Sequence, residues 1–551
     1  MPSELTSASD VVRDAIPFSR VPWIRPLAGA QAQHYDAVAS LFAGNPADPA
    51  AWRDTIQRVQ HANIDRTLTR DVLVAQTTER RAPQAALDAA ATLANATTVA
   101  VVTGQQAGLF GGPLYTLLKA VTTIQLARQV SAAHGVTAVP VFWVESEDHD
   151  FDEIRSATVL DRDFSVSTLT LGDLPGAGTR PVASLQLDER VTDVIAALDA
   201  TLATTEFTPA LLDGLRRQYQ PGRSLSAAFA GWLDDLLGAE GLVVFDASDR
   251  RAKPAVARLF AEEISSPCRT SALARAAGEA MRALGHAPQI EPGDDVVCLF
   301  YLDEATRRPI RYRDGQFFVG DERREAADLA SEAAAHPERF SPNVLLRPLV
   351  QDTLFPTVCY VAGPSELAYQ AQLGEVYRTA GLPQPLLASR ASATVLDSAA
   401  AKFLDRHDLP LDALQGQDDT TLNRLLEGQL PPQLESTFAD LDRLAADGTL
   451  RLKPLVASVD PTLTGAVDTT LERLRDTLKS LQGKILQAAK KKDDTLRRQF
   501  ARTRTLTFPS GQPQERVLNV VFFVNRYGPG FVARLIDVLP PLAGAHLVIT
   551  P

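Results

Sequence analysis

The sequence has few of the residues that define several protein classes. It contains only 3 cysteines and 2 methionines among 551 residues. Cys268, Cys298 and Cys359 lie far apart and in no zinc-ligand spacing, which favours reduced core residues over disulfides or a zinc site. No apolar run approaches the roughly 18 residues that suggest a membrane span. We therefore expect no disulfide framework, no zinc and no membrane partner.

Basic residues are too dispersed for a protein whose main partner is nucleic acid. The formal net charge is −12, whereas a phosphate backbone requires a basic face. The one dense basic run is 490–492. The N-terminal sequence MPSELTSASDVVRDAIPFSR is polar and acidic and does not resemble a signal peptide. These features predict a soluble cytoplasmic protein, and the length predicts two or three domains.

Four segments combine an apolar strand, a polar turn and a helix. Strands that alternate with helices predict a doubly wound parallel sheet of the Rossmann-like type. This predicted core spans 1–390, with insertions at about 155–235 and 265–340 that contain short antiparallel strands. The strands are expected at 97–102, 136–144, 241–249 and from 355 onward, and the first helix is expected at about 113–130.

The character of the sequence changes after Arg390. Apolar residues at spacings of three and four predict a long helix with one apolar seam. We predict an antiparallel helical coiled-coil arm over 391–506, with an ordinary helical subdomain packed on the core as the alternative. The segment 507–551 is predicted to pack back on the core or the arm. The main seam is Leu471, Leu474, Leu478, Leu481 and Ile485; a shorter one is Leu434, Phe438 and Leu441, with Pro454 and Pro461 expected to break the chain between them.

A glycine-rich turn follows the first predicted strand. Its glycines, Gly104 and Gly108 among them, permit a close approach of backbone N–H groups to a ligand. The helix that starts near Pro113 adds a partial positive charge that favours phosphate or carboxylate. Gln105 and Gln106 can donate and accept hydrogen bonds but cannot act as general acids or bases. A purely structural tight turn is an equal alternative.

A dense group of carboxylates surrounds one histidine at the end of the second predicted strand. Such crowding favours a cation, an amine or a magnesium ion as a partner. His149 is a candidate general base or proton shuttle. Glu147, Asp148 and Asp150 are the candidate catalytic or magnesium-binding carboxylates. The alternative is a solvated acidic loop that caps the next helix.

A third group of candidates lies along and beyond the fourth strand unit. An arginine at such a position can bind a carboxylate through two parallel hydrogen bonds. Helix capping and surface ion pairing are the alternatives for this group. No Ser-His-Asp order, His-Glu-x-x-His motif or cysteine–histidine metal set is present. The candidates are Asn343, Arg347, Gly363, Glu366, Tyr369 and Arg390.

Five motifs are spread over nearly the whole chain: TGQQAGLFGGPLYTLLKA, PVFWVESEDHDFDEI, SPNVLLRP, GPSELAYQAQL and QERVLNVVFFVNRYG. Together they resemble one family, the cysteine-adding ligases of bacillithiol biosynthesis (the BshC family). The resemblance implies a Rossmann-like core, a C-terminal coiled-coil arm and a homodimer through that arm. It also implies a reaction that joins the carboxyl group of L-cysteine to the amine of glucosaminyl-malate, for which we expect a cysteinyl-adenylate as the economical route.

The family's core resembles class I nucleotidyl-transfer enzymes, whose His-x-Gly-His turn is replaced here by the sequence that starts at Thr103 and ends at Gln106. An amide does not form spontaneously from a carboxylate and an ammonium ion, so ATP with magnesium is the expected co-substrate. The alternatives are a non-catalytic glucosaminyl-malate-binding or scaffold protein and an amide ligase of the same fold for another amino acid. The matched motifs add Tyr115 and Lys119 to the substrate- or nucleotide-binding candidates, and Asn525, Arg526 and Tyr527 to a candidate second nucleotide site.

Overall fold

The computed structural model describes residues 11–303, 306–428, 432–492 and 494–551. Residues 1–10, part of the polar N-terminal sequence, lie outside the described residues. The described chain forms two compact units, one that ends at Leu396 and resumes with Pro513–Pro551, and one that spans Asp397–Gln512. The sequence predicts the arm at 391–506, so the structural division lies a few residues later at both ends.

The strands carry the numbers used below. In chain order they are β1 (Val12–Pro17), β2 (Val99–Gln106), β3 (Ala138–Glu145), β4 (Ser156–Leu160), β5 (Val166–Thr170), β6 (Val243–Asp246), β7 (Val296–Leu302), β8 (Arg307–Arg313), β9 (Gln316–Val319), β10 (Glu322–Arg324), β11 (Phe340–Pro342), β12 (Thr357–Ala362), β13 (Leu386–Ser389), β14 (Ser392–Val395) and β15 (Ala545–Ile549).

Helices surround these strands in the first unit. Among the described residues, no helix combines the length and the apolar character that crossing a membrane requires. The helices are Pro26–Gln33, Pro49–Gln60, Arg66–Arg80, Gln84–Thr92, Leu114–His134, Phe151–Ile154, Arg190–Thr201, Thr208–Gln218, Leu225–Leu237, Ala257–Ser265, Arg269–Ala283, Ala326–Ala335, Arg347–Leu354, Pro364–Gln370, Gly374–Ala380, Gln514–Val517, Val520–Tyr527 and Gly530–Val538.

The central sheet has the order β13-β12-β2-β3-β6, and all of its strands are parallel. The chain begins in the middle with β2, proceeds through β3 to β6 on one side, and returns to β12 and β13 on the other. This order reverses between β2 and β12, which is where doubly wound sheets open a crevice at the carboxyl ends of their strands. The predicted fold class, a Rossmann-like doubly wound sheet, is confirmed.

Strand β2 extends further than the sequence predicts. Its buried VAVV segment is the continuous apolar run that a doubly covered parallel strand shows. The prediction ended this strand at Val102 and placed Gln105 and Gln106 in a turn. Both residues belong to the strand instead, because the ladder with β3 continues as far as the pair Gln106–Glu145. Their side chains therefore stand at a rigid strand end.

The regions predicted as insertions contain antiparallel strands. Strands β4 and β5 form a two-stranded sheet, and the order β10-β9-β8-β7-β11 forms a second sheet. A further small sheet has the order β1-β15-β14. Because β15 pairs with β1 on one edge and with β14 on the other, the C-terminal segment is part of the first unit.

The second unit contains a long helical hairpin. Helix Pro432–Val459 and helix Thr464–Lys492 run antiparallel, as the ion pairs Lys453–Asp468 (2.7 Å) and Arg475–Asp442 (2.8 Å) show. Pro454 lies inside the first helix, so the predicted break there is wrong. A proline removes one backbone donor and bends a helix locally, but the helix continues for five residues beyond this one, to Val459. The remaining helices of this unit are Ser398–His407, Thr420–Glu427 and Asp494–Thr507.

Candidate active site

A cavity of about 710 Å³ opens at the carboxyl ends of the parallel strands, beside the reversal of strand order between β2 and β12. Its volume is in the range of small-molecule sites. Most of the predicted site residues line it, although they come from distant parts of the chain. These are Gly104, Gln105, Gln106, Tyr115, Lys119, Asp148, His149, Asn343, Arg347, Gly363, Glu366, Tyr369 and Arg390.

An ion pair between buried Lys119 and partly buried Glu366 joins the helices that follow β2 and β12. The Nζ of Lys119 lies 2.6 Å from Oε2 of Glu366 and donates to the carbonyl oxygen of Gly104 at 2.8 Å. Glu366 also accepts from the hydroxyl of Tyr360 at 3.0 Å and from the backbone N–H of Gly363 at 2.7 Å. Burial lowers the pKa of Lys119, and the carboxylate of Glu366 acts in the opposite direction. These contacts hold Lys119 and Glu366, which both line the cavity, in fixed positions.

Arg347 is buried beside this pair and is held by several partners. Its Nη2 donates to the hydroxyl of Tyr369 at 3.2 Å, and its Nη1 donates to Oε1 of Gln351 at 3.2 Å. Its Nε lies 3.7 Å from Oε2 of Glu145, a carboxyl group whose pKa is raised by burial. Asn343 lies in the turn before the helix Arg347–Leu354, where its Oδ1 accepts from the backbone N–H groups of Leu345 and Leu346. The guanidinium therefore has a fixed orientation.

His149 lies between a cation and an anion at the cavity wall. Its Nδ1 is 3.2 Å from Nη1 of Arg307 and 3.5 Å from Oδ1 of Asp148. Because a guanidinium can only donate, the shorter contact makes Nδ1 an acceptor and places the proton of the neutral ring on Nε2. Arg307 also stacks 3.7 Å over the ring of Phe300, and Gln106 donates to Oδ2 of Asp148 at 2.9 Å. In this tautomer His149 offers an Nε2–H donor, and its predicted role as a general base stays a prediction.

Glu147 does not face the cavity. It is buried, and its Oε1 lies 2.5 Å from the Nζ of Lys253, which also donates to the carbonyl oxygen of Phe340 at 3.2 Å. Burial raises the pKa of Glu147, and the ammonium group of Lys253 acts in the opposite direction. A strand-end carboxylate points inward here because a buried lysine from a distant turn is available to pair with it. Glu147 is therefore not among the residues that line the cavity, and its predicted role as a catalytic group or magnesium ligand stays a prediction.

The predicted magnesium carboxylates do not converge on one point. Asp150 caps the helix Phe151–Ile154 through the backbone N–H of Glu153 at 3.2 Å, as the capping alternative states. Asp148 is engaged by Gln106 and Arg307. Across the described ranges, no group of three or more histidine, cysteine, aspartate or glutamate side chains is arranged to hold a metal ion. These side chains therefore form no cluster of three metal ligands in the described part of the chain, and magnesium held by one of them together with substrate phosphates stays a prediction.

Arg390 lines the cavity but already has an anionic partner. Its Nη2 and Nη1 lie 2.8 Å and 3.1 Å from the two carboxylate oxygens of Glu515, and both residues are buried. The same carboxylate accepts from Ser392 Oγ at 3.0 Å and from the backbone N–H of Ala393 at 2.9 Å. Burial lowers the pKa of the adjacent His546 to about 4. Arg390 therefore anchors the C-terminal segment on the core.

The later glycines of the glycine-rich turn do not line the cavity. Gly111 and Gly112 adopt φ values of 97° and 72°, which glycine tolerates. A Cβ on Gly108 would lie 2.9 Å from the Cα of Gly112, so that glycine serves close backbone packing. The carbonyl oxygen of Leu518 accepts from the backbone N–H of Leu114 at 2.9 Å, which occupies the helix start that was predicted to meet phosphate. These glycines therefore have a structural role, whereas Gly104, Gln105 and Gln106 line the cavity and their predicted contacts with a ligand stay a prediction.

Thr103 and the three candidates near the C-terminus also lie away from the cavity. Thr103 is buried in the sheet, where its hydroxyl donates to the carbonyl oxygen of Val361 at 2.8 Å. Asn525 accepts from Thr208 Oγ1 at 2.7 Å. The guanidinium of Arg526 lies 5.3 Å from the ring centroid of Phe164. The ring of Tyr527 stacks on Phe531 with centroids 5.4 Å apart. The predicted second nucleotide site is not brought together by these residues, because each packs on a neighbouring element.

Family models and relatives match nearly the whole chain. The model described as bacillithiol biosynthesis BshC, N-terminal Rossmann-like domain, matches residues 15–391, and the C-terminal coiled-coil domain of BshC matches residues 393–551. The chain belongs to the BshC family. The family predicted from the motifs is thereby confirmed, and with it a Rossmann-like domain followed by a coiled-coil domain.

Relatives carry the same family name. The protein named "Putative cysteine ligase BshC" from Salinibacter ruber is 35% identical over 520 residues, 94% of this chain and 94% of the relative. The protein of the same name from Geobacillus kaustophilus is 32% identical over 526 residues, 93% of this chain and 95% of the relative. A third, from Koribacter versatilis, is 31% identical over 439 residues, 80% of this chain and 81% of the relative. The chain is thus a member of a ligase family.

Several residues of this cavity were missed from the sequence. Glu145 could have been found, because it is the last residue of β3 and strand ends face the crevice. Tyr360 lies inside an apolar strand, where a core role is the ordinary interpretation. Arg307 begins β8 in an insertion and carries no local signal. Arg516 lies next to Glu515 in the motif QERVLNVVFFVNRYG. Only its exposed side chain distinguishes it from the buried residues before it, and the sequence does not show that exposure.

Proposed function

We propose that this chain joins the carboxyl group of L-cysteine to the amine of glucosaminyl-malate, with ATP as the activating nucleotide. Membership of the BshC family supports the reaction class. The single structural observation that supports it best is the cavity at the strand-order reversal, which carries oriented cations and one histidine N–H donor. That position is the one at which doubly wound sheets bind their ligands.

The reaction has two steps in this proposal. A carboxylate oxygen of cysteine attacks the α-phosphorus of ATP, and pyrophosphate leaves to give cysteinyl-adenylate. The amine of glucosaminyl-malate then attacks the carbonyl carbon, AMP leaves, and the nitrogen loses a proton to give the amide. Both steps develop negative charge on oxygen, which oriented donors stabilise when they need no reorganisation.

His149 and the fixed cations have distinct roles in this scheme. The Nε2–H of His149 donates to the carbonyl oxygen as the amine attacks. Arg347 and Lys119 contribute a positive potential from positions that their own partners fix. Asp148 holds Arg307, and Arg307 in turn keeps the ring proton of His149 on Nε2. The chemistry therefore depends on a connected set of side chains rather than on one nucleophile.

Amide formation by the purified chain tests the proposal. We expect cysteine-dependent exchange of pyrophosphate into ATP, and formation of AMP and of the amide once glucosaminyl-malate is added. Mass spectrometry of the product and a panel of amino acids would identify the substrate. Binding of glucosaminyl-malate without AMP formation would instead indicate a scaffold protein, and activity with another amino acid would indicate a different amide ligase.

We also propose that the helical hairpin of the second unit forms a homodimer. The apolar seam of helix Thr464–Lys492 is only partly covered within one chain, since Leu474 is 45% exposed and Leu481 is 47% exposed. Leu444, Leu455 and Val459 of the antiparallel helix are 65%, 65% and 83% exposed. Two seams of this kind bury their leucines when they pack against each other.

The double substitution Leu474→Glu and Leu481→Glu is expected to produce monomers. Both positions are half exposed within one chain, so each glutamate is tolerated there, whereas a charge buried in a dimer seam costs several kcal/mol. Light scattering gives the mass, and far-UV circular dichroism checks that the helices persist. The control is Ser480→Glu with Gln487→Glu, two exposed positions on the opposite face of the same helix, which should leave the mass unchanged. An unchanged dimer mass for the leucine variant would contradict the proposed interface.

A further inference from the structure

Five cations line the cavity, and four of them are occupied by partners of the chain itself. Lys119 pairs with Glu366, and Arg390 pairs with Glu515. Arg347 is bound by Gln351 and Tyr369, while Arg307 is bound by Asp148 and by the carbonyl oxygen of Pro342. An incoming anion would have to compete with these partners. The cations are Lys119, Arg307, Arg347, Arg390 and Arg516.

Arg516 differs from the other four because it is exposed and has no such partner. Within the described ranges, its side chain forms no hydrogen bond or ion pair. It lies near Tyr115: burial and Glu153 raise the pKa of the Tyr115 hydroxyl to about 12, while Arg390 and Arg516 act in the opposite direction. Arg516 can therefore accept an external anion without the loss of an existing contact.

The backbone around Arg516 is held firmly on the core. Glu515, the preceding residue, is buried in the ion pair with Arg390. The side chain of Gln514 accepts from the backbone N–H of Val395 at 2.7 Å and donates to its carbonyl oxygen at 2.9 Å. Further along, Asn519 donates to the carbonyl oxygen of Leu109 at 2.8 Å. Anchors on both sides thus present one free guanidinium at the edge of the cavity.

We infer that Arg516 is a specificity-determining residue that binds an anionic group of a substrate, a carboxylate or a phosphate, at the solvent-exposed edge of this cavity. A guanidinium binds either group through two parallel N–H···O bonds. The inference rests on the proposed function only in taking the cavity as the substrate site. The C-terminal segment is then part of the site, because it supplies the one lining cation that is not already paired within the described part of the chain.

Calorimetric titration of the full chain with L-malate and, separately, with inorganic pyrophosphate tests the inference. The Arg516→Gln variant should bind at least one of the two probes about 10-fold to 100-fold more weakly, as expected for loss of a hydrogen bond to a charged group. Loss confined to L-malate assigns a carboxylate, and loss confined to pyrophosphate assigns a phosphate. The matched control is Arg534→Gln, an exposed arginine of the same C-terminal segment that does not line the cavity; it should bind both probes as the unchanged chain does.

A second measurement needs no variant. Phenylglyoxal should modify Arg516 of the unchanged chain, and the anion that binds there should protect it, as shown by peptide mapping. Binding of both probes with unchanged affinity by Arg516→Gln would overturn the inference. Modification of Arg516 at the same rate with and without bound anion, or no binding of either probe by the unchanged chain, would also overturn it. Because neither measurement uses turnover, a failure to form the amide would count against the proposed function and not against this site.

Discussion

Turnover by the His149→Ala variant is expected to fall by about 10²–10³, the usual cost of removing one donor to a developing oxyanion. Substrate affinity should change much less, because the Nε2–H donor acts mainly in the transition state. The free energy of unfolding should change by about 0.5 kcal/mol or less, since the side chain is 39% exposed. Steady-state kinetics and thermal unfolding measure the two effects separately. The control is His336→Ala, an exposed histidine outside the cavity, which should leave turnover unchanged.

The His149→Gln variant distinguishes a donor from a base. A glutamine retains an N–H donor but cannot accept a proton at neutral pH. If His149 acts through its Nε2–H, this variant should recover about 10-fold of the lost turnover, which corresponds to one hydrogen bond. Equal inactivity of the glutamine and alanine variants would favour the general base predicted from the sequence. A sharp loss of stability with normal turnover per folded molecule would instead make His149 a structural cap.

The location of the site could be predicted from local sequence. Asp148 and His149 follow one apolar strand, Gly363 and Glu366 follow another, and the carboxyl ends of parallel strands meet at one edge of a sheet. The pattern of strands alone therefore brings these groups together. The motifs added Lys119, which lies about one and a half turns into a helix that the sequence also predicted. The cavity lining confirms that such side chains share one crevice.

The partner of each charged side chain could not be predicted. Glu147 pairs with Lys253, 106 positions later, and Asp148 pairs with Arg307, 159 positions later. Such contacts depend on how the insertions fold back over the sheet, for which a single sequence carries no local periodic signal. Two adjacent carboxylates consequently have opposite fates, one in a buried ion pair and one at the cavity wall. Crowding of carboxylates in the sequence predicts a polar region, but it does not predict which of these carboxylates line the cavity.

Replacement of Glu515 by alanine is expected to lower the free energy of unfolding by about 3–5 kcal/mol. The substitution leaves the guanidinium of Arg390 buried without an anion, and an uncompensated buried charge is the costly outcome of breaking such a pair. Chemical denaturation monitored by circular dichroism measures the change. The matched control is Glu240→Ala, because Glu240 forms an ion pair with Arg128 at 2.6 Å in which both side chains are exposed by a third or more. Its loss should cost about 1 kcal/mol or less.

The double variant Glu515→Leu with Arg390→Met separates the charge from the packing. Removing both partners leaves no buried charge, so this variant should be more stable than Glu515→Ala alone. Equal destabilisation of the two variants would mean that the segment is held by its other contacts, such as those of Gln514, and not by the ion pair. Retained stability of Glu515→Ala itself would contradict the anchoring role directly.

Acid should weaken the same region, and the sign follows from the pKa values. Burial raises the pKa of Glu515, but Arg390, His546 and the backbone N–H of Ala393 together outweigh it, so the folded pKa lies below the ordinary value of 4.5. A carboxyl group of this kind stabilises the fold fully above its unfolded pKa, and that contribution is lost as the pH falls through the folded value.

Burial lowers the pKa of His546 from 6.5 to about 4, so its contribution to stability is present above pH 6.5 and is lost as the pH falls toward 4. The thermal unfolding midpoint of the unchanged chain should therefore decrease as the pH is lowered from about 7 to about 4. Below about pH 4.5 the Glu515→Ala variant should show the shallower dependence, because the group that titrates there is gone.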